Sequence, residues 1–176
     1  MIISYPSILT DKSRLDEVYE LRVKVYGQPS IDAHVHKQYL PGGWKDSLDE
    51  CETAIHWIIE DNDQIIASAR LVILSNIEDT HEEFQKLPIP DERPFAYWSR
   101  LAVDPNYRMS DAVQKLDKAR MHYILEHPEI KFAICCVTPE RESALLKLNF
   151  EHIGDIEYTH PNGNHSLNQP VFIYIA

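Results

Sequence analysis

Cysteine is scarce in this chain. Its 176 residues hold three, Cys51 and the adjacent pair Cys135 and Cys136. No CxxC occurs, and three thiols are too few for a disulfide framework. Cys135 and Cys136 lie inside an apolar run, which reads as buried thiols in a strand. Cations are also in short supply: 17 Lys and Arg against 28 Asp and Glu, for a formal net charge of −11 and a pI near 5.2. That balance argues against general nucleic-acid binding, which needs a basic footprint. It also means that an anionic ligand needs a local positive patch. No apolar run approaches the roughly 18 to 20 residues that span a bilayer. The start, MIISYPSILTDKSR, has neither the basic opening nor the long apolar core of a signal peptide. The expectation is a cytoplasmic protein that binds neither membrane nor nucleic acid. Asn164-His165-Ser166 fits a glycosylation sequon and, without a secretory signal, reads as chance.

What is present suits one domain with a real core: 44% hydrophobic and 26% charged residues. Phe95 to Ile124 organises it, reading as a strand to Val103, a turn at Asp104-Pro105-Asn106, and a helix from Ser110 or Asp111. Val113, Leu116, Arg120, Tyr123, Ile124 and His127 share one helical face. A strand that runs into a helix N-terminus offers unpaired amides to an anion, and Arg108 adds a cation just before it. A core strand joined to a packing helix explains the same pattern.

Before that unit come a short strand at Ile2 to Ser4, a helix from Thr10 or Asp11 to Gly27, and an irregular stretch over 27–53. His34 and His36 stand in that stretch; without a third patterned ligand they read as loop residues, and no metal site is expected. The acidic run Asp46, Asp49, Glu50 and Glu52 reads as a solvated face. Ala54 to Ile59 and Gln64 to Leu74 form a hairpin. Glu78 to Lys86 reads as a short helix. After the central unit follow a strand at 131–137, a helix from Thr138 to Leu148, and strands at 150–158 and 171–175. The order predicts an α/β fold with a mixed sheet and helices on both faces. Arg22, Arg70 and Arg100 all fall on elements that otherwise read as core. Buried arginine needs partners. Either three separate salt bridges with the acidic segment supply them, or the arginines line a polar cleft for a substrate with a negative group.

These residues carry a resemblance. YWSRLAVDPNYR followed by a helix resembles the central strand and pyrophosphate loop of the GNAT superfamily of N-acyltransferases. IIASARL resembles its third strand, and TPERESALLKLNFEHIG its fourth helix and next strand, with Asn149-Phe150 where members often carry Gly-Phe. The likeness leans toward the branch of acyl-homoserine lactone synthases and N-acyl amino acid synthases. Leu21-Arg22 with Tyr26, then Asp46 and Asp49, and Arg70 with Trp98-Ser99-Arg100-Leu101 support that lean. The phosphate loop departs from the superfamily: Asp111 and Val113 occupy positions usually given to small residues. Leu145 stands where many members place a tyrosine acid, and Tyr97 where synthases of the branch carry an acidic residue.

The resemblance implies a single-domain, mostly antiparallel GNAT-like fold and an EC 2.3.1-class acyltransferase. It would move an acetyl or longer acyl group from a coenzyme A thioester, acetyl-CoA or another acyl-CoA, to the amine of a small metabolite. An acyl-carrier protein as donor and a homodimer stay open. Leu101 and Val103 would polarise the thioester carbonyl. Arg108, Met109, Ser110, Asp111, Ala112 and Val113 would form the phosphate loop, and Arg22, Arg70 and Arg100 the acceptor site. Tyr97, His56 and Glu52 are the candidate bases. A non-catalytic binding module on the same fold and an acyl-homoserine lactone synthase are the alternatives.

Overall fold

A computed structural model describes residues 3–27, 40–159 and 166–176. His34, His36 and the turn at 161–164 lie outside them. Strand β1 is Ser7–Ile8; of the strand expected at 2–4, Ile3 and Ser4 are irregular and Ile2 lies outside the described residues, and Asp11 caps a 3-10 turn at Lys12–Arg14 that leads into helix α1, Leu15–Tyr26. Strands β2 (Ala54–Asp61) and β3 (Gln64–Leu74) follow, then β4 (Phe95–Val103), α2 (Ala112–Glu126), β5 (Phe132–Cys136), α3 (Glu142–Leu146), β6 (Glu151–Thr159) and β7 (Ser166–Ile175). The helix expected at 78–86 is instead two 3-10 turns, Ile77–Asp79 and Glu82–Lys86. Only Glu142–Leu146 of the helix expected at 138–148 is α-helical.

The seven strands form one mixed sheet in the order β1-β2-β3-β4-β5-β7-β6, antiparallel except for the parallel β4–β5 pair. This is the expected GNAT-like α/β architecture. Asn62 and Asp63 turn the β2–β3 hairpin with φ of 50° and 64°, the backbone that a two-residue primed turn requires. Alternation along the strands separates the faces. Trp57, Ile59, Trp98 and Val103 join Leu116 and Ile124 of α2 and Leu145 of α3 in one core. Ile58 and Ala102 turn the other way and meet Val18, Leu21 and Val25 of α1. Phe84, Phe95, Tyr97 and Phe132 fill a further cluster, where Phe95 and Phe132 stack at 4.9 Å. Asn149 takes φ 63° at the end of α3, the left-handed role in which asparagine best replaces glycine.

Two features of this sheet set up the site. The β4–β5 ladder holds only Ala96–Ala133, Tyr97–Ile134 and Trp98–Cys135, so the two strands part beyond Trp98. On the other side, Ser68 pairs with Ala102 but Arg70 with Ser99, so β4 has one extra residue against β3. Arg100 sits in that bulge with φ 56°. A bulge kinks a strand and re-aims its side chains.

Gly43 lets the segment carrying the acidic run dock on α1. Its φ is 81°, and a Cβ there would stand 2.4 Å from Tyr19 Cβ and 2.7 Å from the Tyr19 carbonyl carbon. The next residue, Trp44, donates its N–H to Tyr19 O at 3.1 Å. Gly43→Ala is expected to destabilise the fold by about 1–3 kcal/mol through backbone strain and overlap, read from the midpoint of urea denaturation. An unchanged midpoint would contradict this packing.

Candidate active site

His56, Arg70 and Ser99 stand side by side across β2, β3 and β4, on the face that carries α1. Arg22 reaches them from the α1 stripe, and Arg100 from the bulge. A 3-10 turn at Ser47–Glu50 brings two carboxylates to this group. Asp46 caps that turn, and Asp49 returns the bond by accepting the Asp46 N–H at 2.9 Å. The capping pair is therefore also the counter-charge.

Asp49 is 3% exposed, Arg22 0% and Arg70 1%. Arg22 Nη1 donates to Asp49 Oδ2 at 2.9 Å and to Trp44 O at 3.2 Å. Arg70 Nη1 stands 2.7 Å from Asp49 Oδ1. The Arg70 fork also binds both oxygens of Asp46, at 2.5 and 3.1 Å, while its Nε donates to Ser99 Oγ at 3.0 Å. Arg100 Nη2 and Nε donate to Asp46 Oδ2 at 2.5 and 3.1 Å, and its guanidinium lies 4.3 Å over the Trp44 ring. The three arginines thus share one network in place of three separate salt bridges. Asp46 and Asp49 are part of it, so the acidic run is not simply a solvated face.

Among the described residues three guanidinium cations meet two carboxylates. The outer members of the network, the Arg100 and Asp46 side chains, are 17% and 29% exposed. Burial pulls the Arg22 pKa down to about 10, with the Asp49 charge opposing, so it stays cationic near neutrality. Arg70 and Arg100 hold the Asp46 carboxyl far below its usual range against the effect of burial. Burial, then the Arg22 charge, lowers His56 to about 4, so it is neutral near pH 7. Its Nε2 faces Asp49 O at 3.2 Å, where the N–H tautomer donates.

A gap begins where β4 and β5 part beyond Trp98. Asp104 N–H donates to Ile66 O at 2.8 Å. By strand alternation the peptide groups of Ala102 also face β3, and those of Val103 face the gap. Across the bulge, Leu101 O accepts from Tyr26 OH at 2.6 Å, tying α1 to this segment. Lys24 adds a second tie through Asp104 at 2.5 Å.

The loop after β4 then delivers α2. Ser110 Oγ accepts the Ala112 N–H at 3.3 Å. Asp111 occupies the cap position but makes no capping bond; its carboxylate points along the helix to Lys115 Nζ at 3.2 Å. Among the described residues nothing accepts from the Val113 or Gln114 amides. Arg108 and Met109 are exposed beside them. The carboxylate that sequence placed in the phosphate loop is thus folded onto a lysine, and the helix end stays open to an anion.

Of the candidate bases, His56 and Tyr97 are buried and Glu52 is exposed on the turn before β2. Tyr97 meets Phe84 edge-on at 5.7 Å. Leu145 is core. Sequence reasoning missed a second charged group on the α2 face, formed by Asp117, Arg120 and Arg141. Arg120 lay on the α2 stripe, and Asp117 three residues before it was the available signal. Among the described residues no group of three or more His, Cys, Asp or Glu could hold a metal ion, and no helix is long and apolar enough to cross a membrane.

The family model for N-acyl amino acid synthase FeeM matches residues 17–173. The chain belongs to the FeeM family of N-acyl amino acid synthases. It is accordingly an N-acyltransferase. The FeeM structure from uncultured soil microbes is similar with TM-score 0.70 at 11% identity, over 99% of this chain and 92% of that one. BjaI, a CoA-dependent acyl-homoserine lactone synthase solved with SAM and isopentyl-CoA, gives 0.70 at 13% identity over 94% and 78%. Arabidopsis thaliana NAA60 in complex with acetyl-CoA gives 0.61 at 14% identity over 99% and 98%. A search of curated proteins finds no match. At these identities the structures speak to the fold alone, while the family model carries the assignment.

Removing one member of the buried network strands the others. Asp49→Ala leaves Arg22 and Arg70 short of a counter-charge and is expected to cost about 3–5 kcal/mol of stability in denaturant titration. A loss under 1 kcal/mol would show that the network does not hold the fold. His56 adds a pH dependence. Its folded pKa of about 4 lies below the unfolded value of 6.5, so the unfolded state binds more protons between them. Stability is full above pH 6.5 and falls as pH drops toward 4, by on the order of 2–3 kcal/mol. Unfolding free energies at pH 7 and pH 5 should differ less in His56→Gln; an equal difference would remove His56 from the account.

Proposed function

We propose that the enzyme transfers an acyl group from a coenzyme A thioester to the amine of a small acceptor that carries a carboxylate, of the amino-acid type. The observation that carries this reading is the gap beyond Trp98, with a Val103 peptide turned into it and an uncapped helix end directly after it. A phosphorylated carrier laid along that path meets Arg108 and the Val113 and Gln114 amides, with Met109, Ser110, Asp111 and Ala112 forming the turn around them. The thioester then lies beside β4, where the amides of Leu101 and Val103 polarise its carbonyl and take the negative charge of the tetrahedral intermediate.

Arg100, at the exposed edge of the network, faces the acceptor's carboxylate. Arg22 and Arg70, held by Asp49, Asp46 and Ser99, act from behind by fixing Asp46 and so the Arg100 fork. The acceptor nitrogen attacks the thioester carbon, a C–N bond forms, the C–S bond breaks, and the thiolate takes up a proton. The ammonium form of the acceptor must first lose its proton to a base. His56 and Tyr97 lie on the acceptor face and Glu52 on its exposed side. Proximity supplies much of the rate because the thioester is already activated. Free coenzyme A as carrier is supported by the CoA-dependence named for BjaI. Both the amino-acid acceptor and the lactone alternative have a named relative, and the product separates them. No acyl-carrier protein or second copy is needed for the path described.

The test is thiol release from acetyl-, hexanoyl- and longer acyl-CoA with a panel of amino acids, and mass spectrometry of the product. An N-acyl amino acid is the expected product; acyl-homoserine lactone formed from S-adenosylmethionine would replace the acceptor assignment, and no release with any pair would remove the transferase reading. Arg100→Ala is expected to lower kcat/KM for the carboxylate acceptor by about ten- to a hundredfold, with little change in the KM of the donor. A donor KM that rises equally would place Arg100 on the wrong side of the strand.

A further inference from the structure

Lys115 stands one turn into α2, and its ammonium has three neighbours. It lies 3.2 Å from Asp111 Oδ1, donates to Ile3 O at 2.8 Å, and sits 5.3 Å over the Tyr5 ring. The first belongs to the start of α2, and the other two to the segment ahead of β1. That segment is itself moored. Ile3 is 5% exposed, in the core that holds Trp57, Ile59 and Leu116, and Ser4 Oγ donates to Glu60 O at 3.0 Å. Tyr5 stands out at the surface. The ammonium is therefore fixed from the N-terminal side, and Asp111 comes to it.

An aspartate in the cap position ordinarily accepts the N–H of the second or third helical residue. In α2 these are Val113 and Gln114, the amides that nothing among the described residues takes up. Asp111 makes no such bond although its side chain is half exposed, so burial is not what holds it away. The charge of Lys115 at i+4 accounts for its direction. On the amides, this carboxylate would take the donors that a phosphate needs and repel the phosphate as well. Asp111 is thus a competitor built into the loop, and Lys115 decides which of two places it occupies.

We propose that Lys115 is a positioning residue for the donor: held by Ile3 O and the Tyr5 ring, it keeps Asp111 off the α2 amides and so sets the affinity for a phosphorylated carrier. The inference rests on the donor path proposed above, and its test separates the two. It makes the segment ahead of β1 a determinant of donor binding, with Lys115 as the link. It also gives the departure at position 111 a consequence: the same carboxylate is harmless on the lysine and inhibitory on the helix end.

Amide-shift titrations with acetyl-CoA and with acetyl-pantetheine, which carries the thioester but no phosphate, test this without an acceptor. Lys115→Met is expected to weaken acetyl-CoA binding by about tenfold or more and to leave acetyl-pantetheine unchanged. In the free variant the Val113 and Gln114 amides should move downfield as Asp111 caps them. Adding Asp111→Ala to Lys115→Met should recover most of the loss, because the competitor is gone. Tyr5→Ala should act in the same direction by about two- to fivefold, and Tyr5→Phe, which keeps the ring, should not. If Lys115→Met does not fold, Tyr5→Ala decides. An equal loss for both ligands overturns the inference. So does a loss that Asp111→Ala fails to reverse, since Lys115 then holds the phosphates itself. Acetyl-CoA binding that is present in the wild type and unmoved in Lys115→Met overturns it and leaves the transferase reading standing. A phosphate-specific loss without thiol release from any donor keeps the positioning role and removes the transferase reading, and no binding of acetyl-CoA to the wild type removes both.

Discussion

Two carboxylates hold three guanidinium groups in the interior of this protein, and the rest of the site is arranged by that constraint. A buried arginine is tolerated only where its charge is met. Asp49 meets Arg22 and Arg70 in full burial, and Asp46 meets Arg70 and Arg100 at the edge. Because both aspartates also cap the turn at Ser47–Glu50, the loop, helix α1 and strands β2 to β4 are fixed to one another by the same few atoms. The bulge follows from this geometry: a residue in the left-handed region is what lets Arg100 turn toward Asp46 rather than continue the ladder.

The bulge and the parting of β4 from β5 belong together. On one side β4 gains a residue against β3, and on the other it loses β5 after Trp98. The strand thereby places the Arg100 guanidinium and the Val103 peptide within a few residues of each other. Tyr26 and Lys24 tie α1 to this stretch through Leu101 O and Asp104, so the arginine network and the gap share a support.

Much of this was legible in the chain. Turn residues gave β3 and β4 their boundaries: Asp61-Asn62-Asp63 ahead of the one and Asp104-Pro105-Asn106 after the other. The three arginines stood out as cations on apolar faces. Their partners were harder to see, since an acidic run in a loop reads as solvated until a fold shows that it closes over the cleft. Asp111 was legible as a residue but not as a contact: only the helix shows that Lys115 at i+4 draws its carboxylate away from the amides. Asp117 and Arg141 stayed hidden for a related reason. They lie apart in sequence and become one group only when β5 returns beside β4. The short first strand and the 3-10 turns were misplaced because two- to five-residue elements carry no period to read.

The central claim is that the backbone from Leu101 to Gln114 receives the thioester donor. Amide chemical shifts followed by NMR during titration with acetyl-CoA test it most directly. The amides of Val113 and Gln114 should show the largest downfield changes, with those of Leu101 and Val103 following and the Arg22–Asp49 neighbourhood little affected. Saturable shifts confined to other surfaces, or none at millimolar donor, would contradict it.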